Sequence, residues 1–311
     1  MASRSDLTGK RVLVTGASGF TGRYMVDELK KQGCHVIGLG GRNVPLKDSA
    51  IDEFIVADLR NSEEIAGAVG RIRVDYVVHL AAIAFVGHGS ANDFYNVNLL
   101  GTRNLLAALS ATADSLPERI LLASSANVYG NATAGVIDES VAPAPANDYA
   151  VSKLAMEYCA SLWKEKLPLV IARPFNYTGV GQDRNFLVPK IVSHFASRAS
   201  SIELGNTEVW RDFGDVRAVV EAYRMLLQAP EATGNTVNVC SGVAHSLRDI
   251  IAICSELTGH HIDVHVNPAF VRSNEVRTLL GNNDKLRRLI GPWDTVPLRE
   301  TLRWMLSAST A

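Results

Sequence analysis

The run ArgValLeuValThr at residues 11–15, followed without a break by GlyAlaSerGlyPheThrGly at 16–22, decides the fold. Five residues rich in β-branched side chains read as a buried strand. The glycines at intervals of three read as a tight turn into a helix. Gly16 allows the turn, Gly19 lets backbone approach a pyrophosphate, and Gly22 lets the helix lie close to the strand. The phosphates would rest on the backbone N–H groups of the helix N-terminus. Ser18, Phe20 and Thr21 complete the loop and are expected at the cofactor. The spacing is GxxGxxG, and not the GxGxxG of the usual dinucleotide fingerprint.

Outward from this turn the chain alternates strand and helix. A second strand, HisValIleGlyLeu at 35–39, leads to Gly40, Gly41 and Arg42, where a ribose 2′-substituent would be read. No carboxylate stands there to accept from a 2′-hydroxyl, and an arginine suits a 2′-phosphate, so NADP(H) is favoured, with NAD(H) as the other choice. PheIleValAlaAspLeu at 54–59 predicts a third strand, with Asp58 placed for the adenine amino group and Leu59 beside it. ValAspTyrValValHisLeuAlaAla at 74–82 predicts a fourth. Leu80, Ala81 and Ala82 would run along the cofactor, His79 reads as a core or strand-end histidine, and His88 lies in a glycine-rich loop. A helix opens near Asn98 and the GlyThr pair at 101–102, and ArgIleLeuLeuAlaSerSer at 119–125 predicts a further strand. Strands are also predicted over 169–173 and 236–242.

This alternation predicts an α/β fold, a doubly wound Rossmann parallel sheet, carrying a smaller, sequence-discontinuous substrate lobe. Residues 1–175 with 211–242 are expected in the dinucleotide-binding part, and 176–210 with 243–311 in the C-terminal substrate lobe.

The chemistry is expected at AsnAspTyrAlaValSerLys, residues 147–153, where Tyr149 and Lys153 fall on one helix face. A phenol titrates near ~10, and an ammonium close by lowers that value. Tyr149 could then exchange a proton with a carbonyl or alcohol. A lone TyrxxxLys also suits a solvated i,i+4 pair. Ser124 and Ser125 end a strand, on the side where open α/β sheets bind ligands, so Ser125 could orient the reacting oxygen.

At 311 residues, with 47% hydrophobic and 20% charged residues and a formal net charge of −1, the chain is expected to fold with a substantial core. Nothing points to nucleic acid as a partner. No apolar run reaches ~18 residues and no secretory leader is evident, which predicts a cytoplasmic protein without a membrane span. Cys34, Cys159, Cys240 and Cys254 lack metal-site spacing, so no metal is implied.

Taken together these residues resemble, over essentially the full length, the extended short-chain dehydrogenase/reductases that act on nucleotide sugars, the NAD-dependent epimerase/dehydratase family. ThrGlyAlaSerGlyPheThrGly, Asp58, HisLeuAlaAla, Asn98 before GlyThr, SerSerAlaAsnValTyrGly, TyrAlaValSerLys, ArgProPheAsn and ArgAspPheGlyAspVal occur in the family's order. The resemblance implies Ser125, Tyr149 and Lys153 as catalytic residues, with Tyr149, Lys153 and Asn98 also at the cofactor. It implies Asn127 and Asn176 at the sugar or phosphate, Arg211 and Arg272 at the diphosphate, and Glu275 near the nucleotide ribose. A homodimer is implied through the helix after Asn98 and the helix bearing Tyr149, a face that the apolar run at 105–109 would suit as well as it would suit the core.

Dehydratases of the family follow their Thr or Ser with AspGlu, and this chain has Ala126 and Asn127. The GDP-fucose epimerase-reductase uses a cysteine where Asn127 stands. The later segments resemble the GDP-4-keto-6-deoxy-D-mannose reductases that form GDP-D-rhamnose, with Tyr177 in place of the histidine of some members. The expected reaction is therefore reduction of a C4 ketone. The alternatives are a 4-epimerase that retains NAD and a non-catalytic NAD(P)-binding sensor or scaffold.

Overall fold

The computed structural model describes residues 4–41, 49–85, 90–112, 116–130, 135–270 and 278–309. Seven strands form one parallel sheet: β1 (Arg11–Thr15), β2 (His35–Gly40), β3 (Glu53–Val56), β4 (Tyr76–His79), β5 (Arg119–Ala123), β7 (Leu169–Pro174) and β11 (Thr236–Val239). Read across, the order is β3-β2-β1-β4-β5-β7-β11, every pair parallel. The chain therefore reverses direction of winding between β1 and β4, and the crevice beyond their carboxyl ends is where such sheets bind ligands.

Both faces of the sheet are covered. Val12 and Val14 of β1 pack into the layer formed by α1 (Phe20–Lys31), α7 (Val216–Gln228) and α9 (Asp284–Ile290), while Leu13 points into the opposite layer. That second layer is built by α2 (Ser62–Val69), α4 (Thr102–Ala111) and α5 (Asp148–Ser161). Alternate residues of one strand thus feed two cores, which is why the run at 11–15 is apolar throughout. Leu105, Leu106 and Leu109 are buried in this layer, so the apolar run at 105–109 packs into the core.

The helix expected to open near Asn98 starts earlier. A short α3 (Ala91–Phe94) runs into a π-helical segment, Tyr95–Gly101, and then into α4.

A second sheet has the order β12 (Ala244–Ser246), β10 (Trp210–Asp215), β14 (Thr278–Gly281), β6 (Val136–Ile137), and β8 (Asn176–Thr178) pairs with β10 beside it. Residues 211–215, expected with the dinucleotide-binding part, thus pair outside the seven-stranded sheet, whereas β11 and α7 lie with it. A third core joins α6 (Leu187–Ala196), α8 (Leu247–Thr258) and α10 (Leu298–Ser309) to the two-stranded sheet of β9 (Ser201–Leu204) and β13 (Asp263–Val266). Polar caps set the helix starts: Asn61 for α2, Asn147 for α5, Asp215 for α7, and a Ser246–Asp249 capping box for α8. Among the described residues no helix is long and apolar enough to cross a membrane.

Candidate active site

The glycine turn has the geometry a phosphate cradle needs. Gly16 sits at φ +69°, and a Cβ there would lie 2.9 Å from the Ala81 backbone. A Cβ on Gly22 would lie 2.0 Å from the Gly16 carbonyl oxygen. Only glycine lets β1, the turn and α1 approach so closely. Gly19 begins α1 without any side-chain cap, so the first-turn N–H groups face the crevice for a ligand to bind. Phe20 stacks on Tyr177 with ring centroids 6.2 Å apart, and the Thr21 and Tyr177 hydroxyls are hydrogen-bonded at 2.7 Å. Strand β8 is thereby tied to the first turn of α1.

Across the crevice a buried relay links β1, β4 and α4. The Ala81 N–H donates to Thr15 Oγ1 at 3.2 Å, Thr15 Oγ1 meets His79 Nδ1 at 2.7 Å, His79 Nε2 meets Thr102 Oγ1 at 2.8 Å, and Thr102 Oγ1 donates to the Asn98 carbonyl at 2.7 Å. Since Thr102 spends its proton on Asn98, His79 must donate from Nε2 and accept at Nδ1. Burial, assisted by the Lys153 charge, pushes His79 down to about 3, so the ring is neutral. His79 is the strand-end core residue expected from the sequence.

Asn98, expected at the cofactor, bonds to the chain itself. Its Oδ1 accepts from the Ile83 N–H at 2.9 Å, and its Nδ2 donates to the Ile83 carbonyl at 3.1 Å and to Ser152 Oγ at 3.0 Å. The amide is saturated by the chain itself, so it braces the segment after β4 against α5. The π turn beneath it accounts for its inward aim, since an extra residue per turn rotates the helix face locally.

Ser125, Tyr149 and Asn127 converge at the end of β5. The Ser125 hydroxyl accepts from the Asn127 N–H at 3.1 Å and from its side-chain amide at 3.2 Å, and bonds the Tyr149 phenol. Tyr149 is 7% and Lys153 5% exposed. A solvated i,i+4 pair is therefore excluded. The expected lowering of the phenol is not what the structure shows: burial pushes Tyr149 up to about 12, against the opposing bond from Ser125. The Lys153 ammonium donates instead to the Ala123 carbonyl at 2.7 Å, and burial lowers it to about 8. Desolvation dominates each group. Tyr149 is accordingly a protonated phenol at neutral pH, ready to donate.

The remaining expected residues divide. Leu80, Ala81 and Ala82 border the crevice, with Ala81 against Gly16. Ser18 is exposed on the glycine turn. Asp58, just past β3, forms an exposed ion pair with Arg60 at 2.7 Å, and Leu59 is buried against Gly101. Asn176 lines a cavity of about 10 Å³ with Gly214, Asp215, Cys240 and Trp293, and its buried Nδ2 has no hydrogen-bond partner among the described residues. Arg211, on β10, donates from Nη1 to its neighbour's Trp210 carbonyl at 2.9 Å. Arg42, His88, Arg272 and Glu275 lie outside the described residues.

Sequence reading missed a set of buried polar residues behind the site. Glu157, one turn beyond Lys153, holds Arg173 of β7 in a bidentate pair at 2.9 and 2.6 Å and accepts from Ser124 Oγ. Arg173 also donates to the Tyr129 hydroxyl at 2.9 Å. The signal was present: Tyr129 and Arg173 lie inside the ValTyrGly and ArgProPheAsn segments, and Glu157 extends the 149, 153 spacing by four. The aspartates of ArgAspPheGlyAspVal are structural. Asp212 accepts from Ser241 and Gly242, and Asp215 caps α7 and accepts from Thr301.

Residues 13–305 match the family described as GDP-mannose 4,6 dehydratase. The chain is 32% identical over 282 residues to GDP-6-deoxy-D-talose 4-dehydrogenase of Aggregatibacter actinomycetemcomitans, covering 90% of this chain and 91% of that one. It is 32% identical over 309 residues to GDP-6-deoxy-D-mannose reductase of Pseudomonas aeruginosa, covering 96% of each. A structure from Burkholderia cenocepacia J2315, described provisionally as an epimerase, superposes with a TM-score of 0.91 at 52% identity over 98% of this chain and 99% of that one. The structure of RMD from Pseudomonas aeruginosa complexed with NADPH gives 0.82 at 31% identity, covering 97% and 98%. That of MoeE5 in complex with UDP-glucuronic acid and NAD gives 0.85 at 28%, covering 96% and 98%.

Proposed function

We infer the function of this chain from the family to which it belongs, the one described as GDP-mannose 4,6 dehydratase. It is a nucleotide-sugar enzyme of the extended short-chain dehydrogenase/reductase type, and its reaction is reduction of a C4 ketone. The substrate is GDP-4-keto-6-deoxy-D-mannose, the product GDP-D-rhamnose, and the cofactor NADPH. The observation that carries this reading is the buried Ser125–Tyr149 proton donor, flanked by Ala126 and Asn127 where removal of water would require an acid and a base. A relative that reduces a GDP-6-deoxy sugar, 32% identical over 96% of both chains, supports it.

NADPH suits the absence of a carboxylate at Gly40 and Gly41, where β2 ends. The glycine cradle fits its pyrophosphate, because the space a Cβ would need at Gly16 and Gly22 is already filled by backbone. Bound there, the nicotinamide supplies a hydride to C4. Tyr149 gives its proton to the ketone oxygen, which stays on C4 as the hydroxyl of the product. Ser125 orients that oxygen, held in turn by Asn127. Lys153 binds the ribose hydroxyls and sets a positive charge near the phenolate that remains. The ammonium acts on the phenolate formed in the reaction, and not by weakening the resting phenol. The first-turn N–H groups of α1 take the diphosphate, while Asn176, Arg211, Arg272 and Glu275 contact the nucleotide sugar. The seven-stranded sheet carries the cofactor, and the second sheet with α6, α8 and α10 carries the sugar nucleotide.

The dimer we propose uses the face on which Leu100 of the π segment and Val151, Tyr158 and the following Leu162 on α5 remain exposed, at 46, 38, 67 and 78%. Such a strip of apolar side chains fits an isologous contact.

A second reading concerns only the stereochemistry. The talose dehydrogenase relative would place the C4 hydroxyl on the opposite face. Incubation with GDP-4-keto-6-deoxy-D-mannose and NADPH, followed by proton NMR of the product, tests both. A large H3–H4 coupling marks the rhamno product, a small one the talo product, and an unreduced ketone refutes the reductase reading.

A further inference from the structure

Behind the catalytic face of α5 lies a buried charged network that the reaction above does not use. Tyr149, Lys153 and Glu157 occupy successive turns of one helix face, and each engages a different residue at the end of β5. Tyr149 bonds Ser125, Lys153 donates to the Ala123 carbonyl, and Glu157 accepts from Ser124 Oγ. Glu157 is 7% exposed, and its other bonds go to Arg173. From Arg173 the network continues. Nη1 donates to the Tyr129 hydroxyl, Tyr129 donates to Asn238 Oδ1 at 2.8 Å, and Asn238 Nδ2 donates to the Ile137 carbonyl at 3.1 Å, on β6 of the second sheet. The Asn238 N–H donates to Glu139 at 2.7 Å.

A buried ion pair of this kind is a poor way to gain stability, because desolvation of the two charges offsets most of their attraction. A use in the reaction accounts for it better. We propose that Glu157 is a positioning residue for the proton transfer: with Arg173 and Ser124 it fixes the end of β5 under the Tyr149 phenol, and its carboxylate, one turn from Lys153, keeps that amine an ammonium in a buried site. The proposal rests on the ketoreductase reading for its effect on turnover, but its effect on Lys153 is independent of any substrate.

The groups around the Lys153 amine are few. Tyr149 and Glu157 flank it on its own helix, His79 at the end of β4 is neutral, and Arg173 on β7 is ion-paired with Glu157. Tyr177, on β8, adds to the rise of the Tyr149 phenol. The π segment alongside contributes the uncharged Asn98, and Tyr95 of the same segment bonds Asp148 near the start of α5. Glu157 is therefore the carboxylate that supports the charge. Without it, burial alone governs Lys153 and the amine loses its proton at lower pH.

The test compares wild type, Glu157→Gln, Glu157→Asp and Ser124→Ala. The Lys153 amine is titrated by brief acetylation with acetic anhydride at a series of pH values, the modified peptide being quantified by mass spectrometry. Turnover is followed over the same pH range with GDP-4-keto-6-deoxy-D-mannose and NADPH. Glu157→Gln should lower the titration of Lys153 by about one unit, the usual size of a lost neighbouring charge, and move the alkaline limb of kcat with it. It should also lower kcat at least ~10-fold while KM changes less than ~3-fold. Glu157→Asp keeps the charge and should titrate as wild type, with kcat reduced because the shorter side chain cannot hold both Ser124 and Arg173. Ser124→Ala should lower kcat and leave the titration unmoved. If Glu157→Gln leaves a buried Arg173 that prevents folding, Glu157→Gln combined with Arg173→Gln removes the unpaired charge and should lower the titration in the same direction by a smaller amount, because the cation goes with the carboxylate.

Unchanged Lys153 titration in the folded Gln variants overturns the electrostatic role, and full kcat in Ser124→Ala and Glu157→Asp overturns the positioning role. A wild type that reduces no ketone refutes the reaction and not the Glu157–Lys153 coupling, which the acetylation titration still decides.

Discussion

Replacing Tyr149 with phenylalanine removes one oxygen from a buried position and separates catalysis from stability. Ser125 Oγ keeps its two bonds from Asn127 at 3.1 and 3.2 Å, so the change leaves only the Ser125 O–H without its acceptor. The loss of one neutral hydrogen bond costs about 1 kcal/mol, and the ring's edge contact with Phe94, at a centroid distance of 6.0 Å, survives. The variant should therefore melt within a few degrees of wild type. Turnover should behave differently. With its phenol held near 12, Tyr149 is the protonated donor at every pH below about 11, and its removal costs the full contribution of a general acid. That contribution is ~10²–10⁴ in rate, or about 3–5 kcal/mol in the barrier. Single-turnover oxidation of NADPH in the presence of the 4-keto sugar measures it, and quenching of protein fluorescence on titration with NADPH measures cofactor affinity. We expect a loss of at least ~10²-fold in the chemical step with NADPH affinity within ~3-fold of wild type. A variant that turns over at the wild-type rate would refute the assignment of Tyr149, and one that fails to bind NADPH would show that the phenol serves the cofactor and not the ketone.

Further expectations follow from particular contacts. Gly22→Ala puts a methyl 2.0 Å from the Gly16 oxygen, so the turn must open, and NADPH binding measured by calorimetry should weaken at least ~10-fold; unaltered affinity would remove the cradle from the cofactor site. His79, neutral and held down to about 3, has a folded value below its unfolded ~6.5, so the unfolded chain binds more protons between those values and stability is lost as pH falls through that window. At pH 5 the loss from this group is about 2 kcal/mol, and His79→Gln should give a shallower fall of melting temperature from pH 6.5 to 4.5; equal slopes would contradict the neutral relay. Tyr158→Glu with Leu162→Glu should convert a dimer to a monomer in sedimentation velocity, and a wild type that sediments as a monomer would refute that interface.

What was legible in the sequence was what depends on local pattern. The strand at 11–15, the glycine turn and the Tyr149–Lys153 spacing each rest on a few consecutive residues whose backbone needs are set by sterics, and the structure bears out the parallel sheet they predicted. The order β3-β2-β1-β4-β5 follows from alternation and handed crossovers. What escaped depends on partners far along the chain. Trp210–Asp215 has the pattern of any half-buried strand, and only its pairing with Asn176–Thr178, Ala244–Ser246 and Thr278–Gly281 assigns it to the second sheet. The π segment at 95–101 has no composition of its own, so the inward turn of Asn98 could not be read. The Tyr149 phenol was expected to be lowered because a nearby ammonium is visible in a spacing and burial is not; in the fold, desolvation dominates both groups. Glu157 was overlooked for a similar reason, since its partners Ser124, Arg173 and, beyond them, Tyr129 come from three separate segments.

The central claim is that Ser125, Tyr149 and Lys153 complete a ketoreductase. The most direct test is the loss of nicotinamide absorbance when the purified protein receives NADPH, then NADH, with GDP-4-keto-6-deoxy-D-mannose and with its dTDP and UDP counterparts. The account predicts rapid, stoichiometric oxidation of NADPH with the GDP sugar. No oxidation with any of the three, together with interconversion of UDP-sugars at C4 by catalytic NAD, would contradict it and establish a 4-epimerase.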